Sequence, residues 1–126
     1  MEVAFFCAIL VLKLSSMDQN DYLKVNRELW NAKTTFHVDS DFYDVKSFIE
    51  GETSLNEIEL GLLPNDLSGK KVLHLQCHFG QDSIALARMG ADVTAVDLSD
   101  KAIREAKKLA DKCDVSVSFI CSDVYA

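Results

Sequence analysis

The segment Lys70–Ala110 constrains the fold of this chain more than any other. It opens with a short apolar run, Val72–Leu75, which continues through a turn into a helical pattern that ends at Gly90. A second apolar run, Asp92–Asp97, then leads into a second amphipathic helical pattern. Strands that alternate with helices predict right-handed crossovers and a parallel sheet. Because Val72–Leu75 is almost wholly apolar, we expect it to be buried on both faces.

Weaker patterns flank this segment. A third strand is predicted at Val115–Cys121. Apolar residues at helical spacing predict helices over Asp21–Ala32 and Ser54–Leu63, with a loop over Thr34–Tyr43 between them.

The first sixteen residues form an apolar leader. The run Val3–Leu14 is too short to span a bilayer, and Glu2 stands where a signal peptide carries basic residues. We interpret residues 1–16 as lying outside the fold, with Met17 as the native start. An export signal or a membrane anchor is the alternative.

Charge and cysteine usage exclude some classes of partner. The 126 residues include 13 basic and 20 acidic ones, for a net charge of −7, and the basic residues form no stripe. We therefore expect no binding to nucleic acid or to an anionic membrane. The cysteines form no C-x-x-C pair, which favours reduced thiols in a cytoplasmic protein. They are Cys7, Cys77, Cys113 and Cys121.

The turn after the first strand indicates the kind of ligand. Ligands of open parallel sheets bind beyond the carboxyl ends of the strands. A dinucleotide site there needs the pattern G-x-G-x-x-G, so that bare backbone can approach a pyrophosphate. In this chain Gln76 and His78 replace the first two glycines and only Gly80 is kept. The pattern disfavours NAD or FAD and favours a nucleoside without phosphate, such as S-adenosylmethionine (SAM).

Two carboxylates follow the next strands. Asp97 can accept hydrogen bonds from a ribose diol or cap the helix that follows, and its place after the second strand favours the ribose. Asp123 can accept from an adenine amino group, beside the backbone of Val124, or remain a solvated turn residue. Trp30 and Phe36 can cover the adenosine or pack in the core, and we favour the core.

His74, Cys77 and His78 have a spacing found among metal ligands. Since His74 lies in a strand and Cys77 in the turn after it, the three side chains need not converge. We therefore predict no metal site, with His74 hydrogen-bonded within the sheet.

The run LHLQCHFGQDSIALARMGADVTAVDLSDKAI, together with SFICSDVY, resembles class I SAM-dependent methyltransferases. The upstream segments resemble a bacterial-type branch of these enzymes whose substrate is unassigned; they are ELWNAKTTFH, FYDVKSF and GKKVLHLQCHFG. The whole resemblance covers Asp18–Ala126. It implies an α/β fold with a Rossmann-like parallel sheet and flanking helices, the N-terminal half of a seven-stranded domain with strand order 3-2-1-4-5-7-6.

The resemblance also implies the organisation of the chain. Residues 17–63 would be an N-terminal helical cap region, and residues 64–126 a partial cofactor-binding domain with strands 1–3, truncated at the C-terminus. The outer edge of the first strand would then be open for pairing with another chain, and an open apolar edge is prone to aggregation.

The implied cofactor is SAM, and the implied activity is methyl transfer to a small-molecule acceptor, which a fragment alone need not perform. The turn would hold the methionine part, Asp97 the ribose and the third strand end the adenine, and no residue is assigned as the catalytic base. The implied contacts are Gln76, Cys77, His78, Gly80, Asp97, Leu98, Asp123, Val124 and Trp30. Two alternatives remain open: a nicotinamide- or flavin-binding fragment of an oxidoreductase, and a non-catalytic module that pairs with a partner chain.

Overall fold

Four parallel strands form the centre of the structure, a computed structural model that describes residues 2–5 and 18–126. They lie side by side in the order of the sequence. The strands are β1 (Glu2–Phe5), β2 (Lys71–Leu75), β3 (Asp92–Asp97) and β4 (Ser118–Cys121). The parallel pairing of β2, β3 and β4 confirms the α/β class expected from the sequence.

Five helices accompany the sheet in the described residues. Three precede β2, and one connects each of the next pairs of strands. The helices are α1 (Gln19–Val38), α2 (Val45–Ile49), α3 (Glu57–Leu62), α4 (Gln81–Arg88) and α5 (Asp100–Lys112). Because the chain steps one way across the sheet from β2 to β4, right-handed crossovers place α4 and α5 on the same face, where they contact each other.

The two faces of the sheet are buried to different degrees. Val72 and Val93 lie in the core beneath α4 and α5, whereas Leu75, Val96 and Ile120 lie opposite one another in register on the other face. Leu75 and Val96 are half-buried and Ile120 is exposed. The prediction that the first strand is buried on both faces was therefore wrong, because only one face carries a helical layer among the described residues.

The strand Glu2–Phe5 departs from the expectation for the leader. It pairs in parallel with β2, with Glu2 opposite Val72 and Phe5 opposite Leu75, at the edge that was expected to be open. The backbone groups of an uncovered strand edge can pair with any extended segment, and this apolar stretch supplies one. The rest of residues 1–16, and the start expected at Met17, lie outside the described residues. Among those that are described, no helix is both long and apolar enough to cross a membrane.

Helix α1 runs further than the sequence predicts. It begins after Asp18, whose side chain accepts the N–H of Asp21, and it continues to Val38 through half of the predicted loop. Thr34 is fully buried within this extension and donates its hydroxyl to the Trp30 carbonyl. The extension of α1 beyond Ala32 therefore includes a buried residue. The short helix α2 was also not predicted.

Gly80 is required by the packing between the first crossover and β4. Its φ is +83°, and a Cβ there would lie 2.8 Å from the Phe119 ring and 3.0 Å from Ala106. The left-handed backbone and the close approach both favour glycine.

We expect Gly80→Ala to lower the free energy of unfolding by about 2–4 kcal/mol, since left-handed strain and overpacking add. The matched control is Gly69→Ala, where φ is +76° and nothing lies within 4 Å of the added Cβ, so that only about 1 kcal/mol of strain is expected. Urea unfolding of the two variants measures the difference. Equal losses in both would contradict the packing argument.

Candidate functional site

The turn between β2 and α4 has a left-handed backbone at every second residue. Gln76, His78 and Gly80 have φ values of 60°, 52° and 83°. Most side chains avoid this region of backbone space. Two bonds between backbone groups hold the turn: the Cys77 N–H donates to the Val96 carbonyl, and the Gly80 N–H donates to the Cys77 carbonyl. The turn therefore has the backbone conformation that favours glycine, although two of its left-handed residues, Gln76 and His78, carry side chains.

Asp97 joins this turn to the end of the neighbouring strand. Its Oδ2 accepts the His78 N–H at 2.7 Å, and its Oδ1 accepts the Ser99 N–H at 2.8 Å. Burial raises the pKa of the Asp97 carboxyl, and the hydrogen bonds from Ser99 and His78 oppose that rise. Since each carboxylate oxygen has a second lone pair, Asp97 can still accept hydrogen bonds from a ligand.

The His78 imidazole lies in a cluster of rings. Its Nε2 is 2.8 Å from Nδ1 of His37, near the end of α1. The rings of Trp30, Tyr43 and Phe79 lie with their centroids 5.6, 5.9 and 4.7 Å from that of His78, all in edge-on arrangements. The cluster brings α1, the loop after it and the turn into contact.

Both imidazoles are held neutral. Burial lowers the pKa of His78 to about 4, and repulsion from Lys33 and from His37, whenever His37 is protonated, contributes. Burial also lowers the pKa of His37, and the positive charge of Lys33 lowers it to a smaller extent. The second ring nitrogen of His78, Nδ1, is buried and has no hydrogen-bond partner among the described residues. An unpaired buried polar atom costs about 1–3 kcal/mol, so a ligand group that pairs with it is favoured here.

Helix α1 covers the carboxyl ends of the strands. The Asn31 side chain accepts the Ser99 hydroxyl at 2.5 Å and donates to the Asp100 carboxylate at 2.9 Å. Arg27 donates through Nε to the Leu98 carbonyl at 3.3 Å. These bonds fix α1 across the start of α5, directly over the segment that joins β3 to α5.

Some of the predicted site residues have their side chains elsewhere. The Cys77 side chain lies in the hydrophobic core, where burial raises its pKa strongly, so only its backbone is offered to a ligand. His74 is buried, with Nδ1 2.7 Å from the Ser83 hydroxyl. His74, Cys77 and His78 therefore have separate partners and do not converge on one point.

The third strand end lies beside Asp97. The Ser122 N–H donates to the Asp97 carbonyl at 3.0 Å, which places Asp123 and the half-buried Val124 on the same rim. The Asp123 carboxylate accepts the Tyr125 N–H at 3.1 Å, as in a capped turn.

The aromatic residues of α1 differ from the core packing that we favoured. Trp30 is 38% exposed beside His78, and Phe36 is 80% exposed. The prediction of core packing was wrong for Phe36, because it lies on the side of α1 that faces away from the sheet domain.

Sequence reasoning missed three residues of the site: Asn31, His37 and Tyr43. Their partners lie about 40 to 70 positions further along the chain. One signal was available for His37, because it follows Trp30 by seven residues, or two helical turns, and so shares its face of α1.

Comparisons with known proteins find methyltransferases. Residues 72–126 match the model of the methyltransferase domain. The chain is 40% identical over 76 residues to the magnesium-protoporphyrin O-methyltransferase of Rhodobacter capsulatus, a match that covers 60% of this chain and 34% of that protein. It is 41% identical over 58 residues to a ubiquinone biosynthesis O-methyltransferase of Coxiella burnetii, covering 46% of this chain and 25% of that protein.

A solved structure has the same fold. The magnesium protoporphyrin IX methyltransferase of Synechocystis, crystallised with bound SAM, aligns with a TM-score of 0.55 and 23% identity over 88% of this chain and 57% of that one. The chain spans about a third of the length of the Rhodobacter relative and about a quarter of the Coxiella relative.

We expect Asn31→Ala to loosen α1 from the sheet domain without unfolding the core. The substitution removes the bonds to Ser99 and Asp100, so the amides of α1 should exchange with deuterium about tenfold faster or more. Hydrogen-exchange mass spectrometry measures this. The control is Asn26→Ala, an exposed position on the same helix, which should leave the exchange of α1 within about twofold of wild type. Unchanged protection in Asn31→Ala would refute the docking role.

We also expect acid to destabilise the protein through His78. Its folded pKa of about 4 lies below the unfolded value of 6.5, so the unfolded state binds more protons between these values. The stability contributed by neutral His78 is complete above pH 6.5 and is lost as the pH falls toward 4, by up to about 1.4 kcal/mol per pH unit.

Urea unfolding of wild type and His78→Asn at several pH values tests this expectation. Asparagine tolerates the left-handed backbone and does not titrate, so the stability of the variant should depend less on pH. Parallel pH profiles for the two proteins would contradict it.

Proposed function

We propose that the protein transfers a methyl group from SAM to a small-molecule acceptor. The premise is that residues 72–126 of this chain belong to the class I SAM-dependent methyltransferases. The curated relatives are named as O-methyltransferases of a porphyrin and of ubiquinone biosynthesis. Their names support a small-molecule acceptor with an oxygen nucleophile.

The geometry of Asp97 is the observation that carries this proposal. A carboxylate at the end of a parallel strand is bonded to the turn of the neighbouring strand and has lone pairs left for a diol. A ribose diol matches this arrangement, because two vicinal hydroxyls can donate to one carboxylate. The residues present therefore fit an adenosine ligand.

The turn supports a ligand without phosphate. Side chains at Gln76 and His78 occupy the positions at which bare backbone would meet a pyrophosphate. The unpaired Nδ1 of His78 supports a polar ligand group at the turn. The side chains at Gln76 and His78 therefore disfavour the alternative of a nicotinamide- or flavin-binding oxidoreductase fragment.

Each of the other contacts follows from its place on the rim. We propose that the turn holds the methionine part through Gln76, His78 and the backbone of Cys77 and Gly80. The adenine would lie against Leu98 and meet Asp123 and Val124, with Trp30 covering the adenosine. These roles are supported by the way in which α1, β3 and β4 meet around Asp97.

When bound, SAM supplies an activated methyl group on a sulfonium. The residues of this chain would position the reactants and exclude water, and alignment alone accounts for a large share of the rate enhancement in such transfers. The ring cluster of Trp30, Tyr43 and His78 would keep water from the turn. Lone pairs on the neutral imidazoles of His37 and His78 would accept hydrogen bonds or protons.

We also propose that this protein is cytoplasmic and that it binds neither nucleic acid nor membranes. The acidic balance of the chain and its scattered cysteines support this proposal.

Calorimetric titration with S-adenosylhomocysteine tests the proposed site. We expect Asp97→Asn to weaken binding by about tenfold to a hundredfold, because charge-assisted hydrogen bonds to the ribose are lost. The control is Asp92→Asn, at the exposed opposite end of the same strand, which should bind as wild type does. Thermal unfolding must show that both variants are folded. A folded Asp97→Asn variant with wild-type affinity would refute the role of Asp97.

A further inference from the structure

We propose that His37 and His78 form a proton-linked receptor for the carboxylate of the cofactor's methionine part, so that binding draws a proton from solvent onto the imidazole pair. The inference rests on the proposed function, which supplies the ligand. It adds a coupling between pH and affinity, and it assigns a recognition role to His37, which lies outside the turn.

The hydrogen bond between the rings limits where their protons lie. His37 Nδ1 and His78 Nε2 are 2.8 Å apart, so one of them carries the shared hydrogen. Two neutral imidazoles have two ring protons on four nitrogens, which leaves one further proton for either His37 Nε2 or His78 Nδ1. In either tautomer His78 Nδ1 is buried without a partner among the described residues.

A neutral pair can already place its second proton on His78 Nδ1, but it then carries no charge to balance a carboxylate. One added proton makes the pair a cation and fixes an N–H at Nδ1. The pair then carries three ring protons: one between the rings, one on His37 Nε2 and one on His78 Nδ1. The N–H at Nδ1 can donate to a carboxylate oxygen, which satisfies the buried atom. The proton comes from solvent, and no covalent bond to carbon is formed or broken.

The local charges favour an anion at the pair. Lys33 precedes His37 by one helical turn, and its Nζ lies 4.6 Å from the centroid of the Trp30 ring, which in turn packs against His78. Lys33 is near enough to lower the pKa of both imidazoles. A carboxylate would offset this repulsion and the cost of burying an imidazolium. The pair is thus an electropositive position in a chain whose net charge is −7.

The acids around the pair already have hydrogen-bond donors. Asp97 accepts the backbone N–H groups of His78 and Ser99, and Asp82 accepts the Ser54 hydroxyl at 2.5 Å. Asp82 acts electrostatically on Tyr43, whose ring packs against both imidazoles and whose own pKa is raised chiefly by burial. In the free protein these acids leave both imidazoles with lowered pKa values, so an incoming carboxylate would change the balance.

The test is calorimetry on the full 126-residue chain near pH 7, in two buffers of different ionisation enthalpy. The probes are S-adenosylhomocysteine and 5′-methylthioadenosine, which keeps the adenosine but has no carboxylate. We expect the binding of S-adenosylhomocysteine to take up a fraction of a proton, and the binding of methylthioadenosine to take up none. The affinity for S-adenosylhomocysteine should rise as the pH falls from 8 to 6, by up to about tenfold per pH unit.

Two variants separate the imidazole from the fold of the turn. Both His78→Asn and His78→Gly suit a φ of +52° and remove the titrating ring. Each should abolish the proton uptake with S-adenosylhomocysteine, and each should weaken the binding of S-adenosylhomocysteine more than that of methylthioadenosine, because only the former has a carboxylate.

The outcomes distinguish this inference from the proposed function. Binding of both nucleosides to wild type without proton uptake would overturn the inference and leave the proposed function intact. Undiminished uptake in both His78 variants would likewise overturn it. If neither nucleoside binds to the folded wild-type chain, the proposed function fails, and the inference fails with it.

Discussion

The buried carboxylate of Asp97 is the interaction on which the site depends. It accepts one backbone N–H from the turn after β2 and another from the start of α5, while the backbone carbonyl of the same residue accepts Ser122 after β4. Three strand ends are therefore joined at one residue. Removal of the carboxylate would leave both N–H groups without this acceptor, at a cost of about 1–3 kcal/mol for the buried Ser99 N–H. Burial of the charge is unfavourable, but the hydrogen bonds of Asp97 fix the geometry of the rim.

The turn next to Asp97 replaces flexible glycines with side chains at left-handed positions. Such positions cost about 1 kcal/mol or more for a residue with a Cβ, and here hydrogen bonds to β3 and contacts with α1 hold them. The consequence is chemical. The imidazole of His78 occupies the place where a glycine would leave bare backbone, and it forms a hydrogen bond with the imidazole of His37 on α1. The site thus combines a buried carboxylate with a pair of hydrogen-bonded imidazoles.

Helix α1 has two kinds of attachment to the sheet domain. Asn31 and Arg27 bind the segment that joins β3 to α5, and the rings of Trp30 and His37 contact His78. The polar bonds fix the direction of the helix, and the ring cluster closes the space above the turn. Because both sets lie at the strand ends, any ligand held there would contact α1 as well as the sheet.

The sequence by itself determined the alternation of β2, α4, β3 and α5, because strand and helix periodicities differ and Ser99 and Gly90 mark helix ends. It also determined that Asp97 ends a strand, and its motifs resemble those of methyltransferases. Only the tertiary structure decided that α1 continues to Val38, that β1 pairs with β2, and that His37 meets His78. These features depend on contacts between segments about 40 or more residues apart. Local periodicity carries no information about such distant contacts, because packing of the folded chain creates them.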